Sequence, residues 1–159
     1  MRQPPKQEID KDAIKVWKIT AAIYNGILCL LAIGAFIISI IFEWPLWYSI
    51  AAIVISVILA YVFIFILPKL RWRRWRYELF EQEIYIQYGI LIMSRTLIPM
   101  VRVQHVDTKQ GPLLKRYDLA TVTISTAATT HEIPALNEAD ASLLRDRISE
   151  LARVDEEDV

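Results

Sequence analysis

Three groups of residues in this chain have types and spacings that could do chemistry. The first is Pro68-Lys69-Leu70-Arg71-Trp72-Arg73-Arg74-Trp75-Arg76, where five cations interleave with two tryptophans and no acid intervenes. Arginine and lysine lay their apolar stems along a greasy surface while their heads reach phosphate oxygens, and indole rings favour the lipid headgroup zone. Lys69, Arg71, Trp72, Arg73, Arg74, Trp75 and Arg76 are therefore candidate contacts for an anionic membrane surface, where each cation contributes on the order of 1 kcal/mol. The same stretch also reads as a stop-transfer flank that sets topology. The second group is Lys115-Arg116, which follows a turn signal at Gly111-Pro112 and offers two cations to an anionic headgroup or a protein partner.

The third group is His105, Asp107 and His131. Two residues apart in a strand, His105 and Asp107 share a face, which is the beginning of an acid–base pair. No nucleophile stands at a matching spacing, and neither histidine has a cysteine or carboxylate at metal-ligating helical spacing. With four glycines in the chain, no phosphate-cradling loop is encoded. The expectation is a protein with no catalytic residue, no cofactor, no metal and no small-molecule substrate.

What must position the cationic stretch is apolar. Of 159 residues, 55% are hydrophobic and 23% charged, and the two classes are segregated. No charge occurs from Ile19 to Phe42 or from Leu46 to Leu67, runs of 24 and 22 residues. As helices they would extend about 36 and 33 Å, against a hydrocarbon core of about 30 Å. Two transmembrane helices over about 19–42 and 46–67 follow. A buried core helix needs less uncharged length, and a cleaved signal sequence has a shorter apolar region. Only Glu43-Trp44-Pro45 separates the runs, so 19–67 is an antiparallel hairpin, with Trp44, Trp47 and Tyr48 suited to the lipid–water interface.

The 1–18 flank carries Arg2, Lys6, Lys11, Lys15 and Lys18, the 68–76 flank five more cations, and the turn none. The positive-inside rule then puts both termini in the cytoplasm and the protein in the plasma membrane as a multi-pass chain. Ala22 and Gly26, and likewise Ala52, Ser56 and Ala60, recur every four residues and would let the two helices pack closely. No ionisable residue lies deep in either run, which argues against ion-coupled transport by this chain alone. Cys29 has no partner for an internal disulfide and reads as a small packing residue.

From Tyr77 the period changes to two. Ile84, Ile86 and Tyr88 alternate with Glu83, Tyr85 and Gln87, and after a break at Gly89 the segment Leu91–Ile98 can return as a hairpin partner. Val101 and Val103 continue the alternation, while Val106 has the opposite parity, so a bulge near His105 is expected. Ala120–Ala127 alternates again, and Ile133 marks a short last strand before Pro134. Asn137 caps a helix whose stripe is Leu143, Leu144, Ile148 and Leu151, with an acidic tail at 155–159 expected to be solvated. The region 77–154 is thus a small antiparallel domain closed by one helix. Residues 77–159 hold 8 basic and 14 acidic residues, a net of −6, which excludes generic nucleic-acid binding.

At this point the residues carry a resemblance. Arg95-Thr96-Leu97-Ile98-Pro99-Met100-Val101-Arg102-Val103-Gln104-His105-Val106, then Gln110-Gly111-Pro112-Leu113-Leu114-Lys115-Arg116, then Leu119-Ala120-Thr121-Val122, resemble the bacterial pleckstrin-homology (PH) family of YdbS-like membrane proteins. One departure is Asp118, where the family often has glycine; aspartate tolerates left-handed backbone, so the turn survives. The resemblance implies a transmembrane hairpin followed by an all-β, seven-stranded, partly open PH-like barrel with a C-terminal helix. It implies an interaction module rather than an enzyme, working beside larger relatives with several such domains. It also implies envelope functions, including resistance to membrane-active peptides. An accessory subunit of a transporter or export complex is the alternative.

Overall fold

The computed structural model describes residues 3–157, with side chains to Val154. Arg2 and the side chains of the acidic tail lie outside the described residues. Two compact units divide the chain. One is Trp17–Leu70, and the other joins Met1–Val16 to Arg71–Val159.

The first unit lies within two long helical stretches. Helix α1 is Ala13–Ile41; α2 is Leu46–Tyr61, followed by a π-helical turn at Val62–Ile66 and by α3, Leu67–Arg74. Each stretch has 29 residues, with mean hydropathy 2.3 and 3.1, long and apolar enough to cross a membrane. Both helices outrun the uncharged runs, because charge does not stop a helix and no breaker stands at Lys15 or Lys18. Pro68 is the one residue that should break the second. Its ring lacks an N–H and would clash with the carbonyl four residues back, and the π turn just before it, in which Leu67 N–H reaches Val62 O, absorbs that mismatch.

Along α1 the inward positions are Asn25, Cys29, Ala32, Phe36 and Ser39, and along α2 they are Ser49, Ile53, Ser56 and Ala60. Both sets step by four and three, the spacing of a left-handed helix pair. Ala22, Gly26 and Ala52 are exposed instead, and nothing lies within 4 Å of a Cβ placed on Gly26. The small-residue expectation holds only for Ser56 and Ala60. Polar groups decide the seam, because in lipid each must find a protein partner. Ser39 and Ser49 join hydroxyls at 2.6 Å, Cys29 Sγ lies 3.9 Å from Ser56 Oγ, and Asn25 donates to Ala21 O at 2.8 Å. Between the helices the backbone turns through Glu43 at φ 55°.

The second unit holds two antiparallel sheets. The first has strands in the order β1 (Gln7–Glu8), β2 (Arg76–Leu79), β3 (Glu83–Tyr88) and β4 (Ser94–Pro99). The second has β5 (Val103–Lys109), β6 (Leu119–Thr126) and β7 (Thr130–Asn137). A short helix α4, Pro112–Arg116, connects β5 to β6, and α5, Glu138–Glu157, packs on the second sheet. These are seven strands among the described residues, and one of them comes from the N-terminal flank. The core is Ile84, Ile86, Ile98, Met100, Val122, Ile124, Ile133 and Ile148, each 2% exposed or less.

Several details correct the sequence reading. β4 begins at Ser94 rather than Leu91, because Gly89 turns the chain at φ 126° and the loop runs on to Met93. β3 and β6 are middle strands covered on both faces, so Tyr85, Gln87, Thr121 and Thr123 are buried as well as the residues alternating with them. Met100–Arg102 is a 3-10 turn, which buries Met100, exposes Val101 and brings Met100 N–H to Gln82 O at 2.9 Å. β7 continues through Pro134: the register slips between Ala120 and Val122, and Ala135 takes φ 52°, a bulge that accommodates the missing N–H. Leu143 is 69% exposed, and the buried stripe of α5 runs through Ala141 and Ile148. The bulge at Val103/His105 is present, Asp118 is left-handed at φ 51°, and Asn137 Oδ1 accepts Ala139 N–H at 3.1 Å.

A Cβ at position 89 would collide with Ile92 O. Gly89→Ala is therefore expected to destabilise the domain by about 2 kcal/mol or more. Denaturation of the purified full-length chain followed by circular dichroism measures it; an unchanged midpoint would contradict this account of the turn.

Candidate functional site

The cationic stretch Pro68–Arg76 is a helix as far as Arg74 and becomes strand β2 at Arg76. Helical spacing sorts its residues into two sets. Lys69, Arg71 and Arg73 are exposed, with Lys69 and Arg73 one turn apart on α3. Trp72, Arg74, Trp75 and Arg76 turn into the domain. Trp72 Nε1 donates to Ile9 O at 3.0 Å, and Arg74 donates to the Ile90 carbonyl. The Trp75 ring is 5% exposed and stacks on Tyr88 at 6.2 Å. Arg76 pairs with Glu8 at 2.7 Å and donates to Trp75 O at 2.7 Å.

The partners on the other side are N-terminal. β1 pairs with β2 through Gln7–Tyr77 and Glu8–Arg76. Beyond it, Ile9 is 2% exposed, Ala13 0% and Val16 5%, so one face of the first turn of α1 is core. Asp10 N–H reaches Ala135 O at 3.1 Å, and Asp10 Oδ1 accepts Asp12 N–H at 2.8 Å, leading the chain into α1. Lys15 lies 5.9 Å from the centre of the Tyr117 ring. The 1–18 flank thus supplies a strand and a helix turn that sequence reasoning left as a charged arm. The available signal was Asp10-Lys11-Asp12 before Ala13, a helix-entry pattern preceded by the isolated apolar Ile9.

Lys115 and Arg116 are exposed at the end of α4, a short helix capped by Gly111 with Pro112 at its first position. They occupy a different element from the α3 cations. His105 and Asp107 do share a face of β5, opposite Ser125 and Thr123. His131 is opposite Ile124, one register step away, and faces the other side. Lys109 and Glu132 bridge over the middle strand at 3.5 Å, which covers the threonines between them and leaves Thr123 Oγ1 without a partner among the described residues. No group of three or more His, Cys, Asp or Glu could hold a metal ion among the described residues. What this arrangement can do chemically is present exposed cations on α3, while both tryptophan side chains are turned into the domain.

Two comparisons with known proteins bear on the chain. The family model described as "Bacterial PH domain" matches residues 18–152. The "UPF0699 transmembrane protein YdbS" of Bacillus subtilis (strain 168) is 50% identical over 159 residues, covering all of both chains. No solved structure matches.

At the seam between the flank and the domain, burial raises the Tyr77 phenol above its ordinary range, and the nearby Asp140 carboxylate adds to the effect. A raised phenol pKa means that the folded state holds the neutral form. Its contribution is complete below the unfolded value of about 10 and is lost as pH rises through the higher folded value. Tyr77→Phe is expected to remove part of the alkaline loss of stability above pH of about 10. Melting temperature against pH for both chains measures this; identical alkaline slopes would contradict it.

Proposed function

This chain belongs to the bacterial PH domain family and is a transmembrane protein with two candidate spans, and from that premise we propose that it is a non-enzymatic scaffold of the plasma membrane. Its PH-like domain sits at the cytoplasmic face and binds a protein partner, a relative carrying several such domains. One observation carries this reading. Residues 7–16 and 71–137 form a single folded unit, so the chain enters and leaves the hairpin from the same body. Both flanks then lie on one side of the bilayer, and their cations make that side the cytoplasmic one.

Lys69, Arg71 and Arg73 meet the anionic inner leaflet, Trp72 and Arg76 hold the domain against its own N-terminal strand, and Arg74 and Trp75 hold the β3–β4 hairpin. The net charge of −6 over 77–159 favours a protein partner over headgroup capture by the barrel. The role proposed for this scaffold is envelope defence against membrane-active peptides.

Crosslinking of the full chain in native membranes, followed by identification of its neighbours, tests the proposal. A membrane protein with several PH-like domains is the expected neighbour. An ATPase or channel subunit recovered in its place would contradict the scaffold and favour an accessory role in export.

A further inference from the structure

The β3–β4 hairpin tip departs furthest from ordinary solvent-facing protein. Leu91 is 94% exposed, Ile92 82% and Met93 41%. A loop tip in water is ordinarily built from Gly, Pro, Asn, Asp and Ser. Nor is this tip slack. Gly89 sets its entry at φ 126° with Ile92 O packed where a side chain would stand, Arg74 grips the Ile90 carbonyl, and Trp75 stacks on Tyr88 at its base. The loop is held in one shape with its greasy side chains outward.

Charge and connectivity indicate what it faces. No acid occurs from Ile84 to Val106, and Arg95, beside the tip, is exposed and bonded to Gln87 Oε1 at 3.0 Å. Arg74, which grips the loop, stands seven residues after Leu67, where the uncharged run ends. Those seven residues of chain bound the distance between the loop's anchor and the end of the uncharged run.

We infer that Leu91 and Ile92, flanked by Met93, form a wedge that enters the phospholipid surface of the membrane the chain spans. This rests on the reading that 46–67 crosses the bilayer. The occupant is the boundary between headgroups and acyl chains, with Arg95 at phosphate level. Apolar side chains leave water, no acid is carried into the anionic layer, and the rigid base costs little ordering on entry. The wedge gives the domain a membrane attachment besides the hairpin and fixes its orientation.

The test uses the full chain with Cys29→Ser, reconstituted in nanodiscs of phosphatidylglycerol and phosphatidylethanolamine. A nitroxide at Ile92→Cys is compared with nitroxides at Lys69→Cys and at Ala128→Cys in the exposed β6–β7 turn. The readout is the ratio of collisions with oxygen to collisions with an aqueous nickel chelate. At 92 this ratio should exceed that at 128 by about threefold or more, as for a side chain some 5–10 Å into the interface. Adding Leu91→Asp should bring it back toward the value at 128, with an unchanged circular dichroism spectrum.

A ratio at 92 equal to that at 128, with 69 still shielded from nickel, would overturn the wedge and leave the spanning hairpin intact. Aqueous values at both 69 and 92 would overturn the two together. Protection at 92 from oxygen and nickel alike would mean burial against protein, which also overturns the wedge.

Discussion

The arrangement depends on a two-residue strand. A ladder of Gln7–Tyr77 and Glu8–Arg76 is too short to persist alone, and two-stranded pieces are marginal in water at best. It persists because its neighbours are fixed three times over. Ile9 is buried and its carbonyl takes the Trp72 indole, Glu8 pairs with Arg76, and Asp10 reaches β7 through Ala135. Burying Ile9 and Val16 contributes about 1.5–3 kcal/mol each in transfer terms, more than the strand's own hydrogen bonds supply. This contact joins the segment before the first span to the segment after the second, and the proposed orientation follows from it.

The same economy of residues governs the basic stretch. A helix that ends in Arg73-Arg74-Trp75-Arg76 must place some of these side chains against the domain and some away from it. The inward group donates to the Trp72 and Trp75 carbonyls where helix gives way to strand, and to the Ile90 carbonyl in the β3–β4 loop. The outward group, Lys69, Arg71 and Arg73, is exposed. Inside the hairpin the logic is the same at smaller scale. Hydroxyls and an amide face the seam because lipid offers them nothing, and they pair across it or with the preceding turn.

How much of this could be read from the sequence follows the range of each interaction. The spans were legible because uncharged length is a local property. So were the bulge at His105, visible as a parity change between Val103 and Val106, and the helix cap at Asn137. β1 was not, since a two-residue strand has no period and exists only through partners some seventy residues away. β3 and β6 alternate as expected, yet both of their faces are covered, because middle strands are shielded by the long side chains of their neighbours. β7 was cut short at Pro134, where a compensating bulge lies partly in another strand. In the hairpin, a four-residue rule for small residues pointed to Ala22 and Gly26, while the 25–29–32–36–39 series, polar at Asn25 and Ser39, marks the face that pairs. Of the candidate site, the sequence named a cationic stretch but not its division into exposed and domain-facing sets, which depends on where the N-terminal strand docks.

Cysteine accessibility in intact cells tests the central claim most directly. With Cys29→Ser as background, single cysteines at Gln7, Glu43 and Ala128 are treated with a membrane-impermeant maleimide before and after permeabilisation. Position 43 should label at once, and positions 7 and 128 only after the membrane is opened. Labelling of 7 and 128 on opposite sides, or of both from outside, would contradict a single inner body that holds both ends of the hairpin.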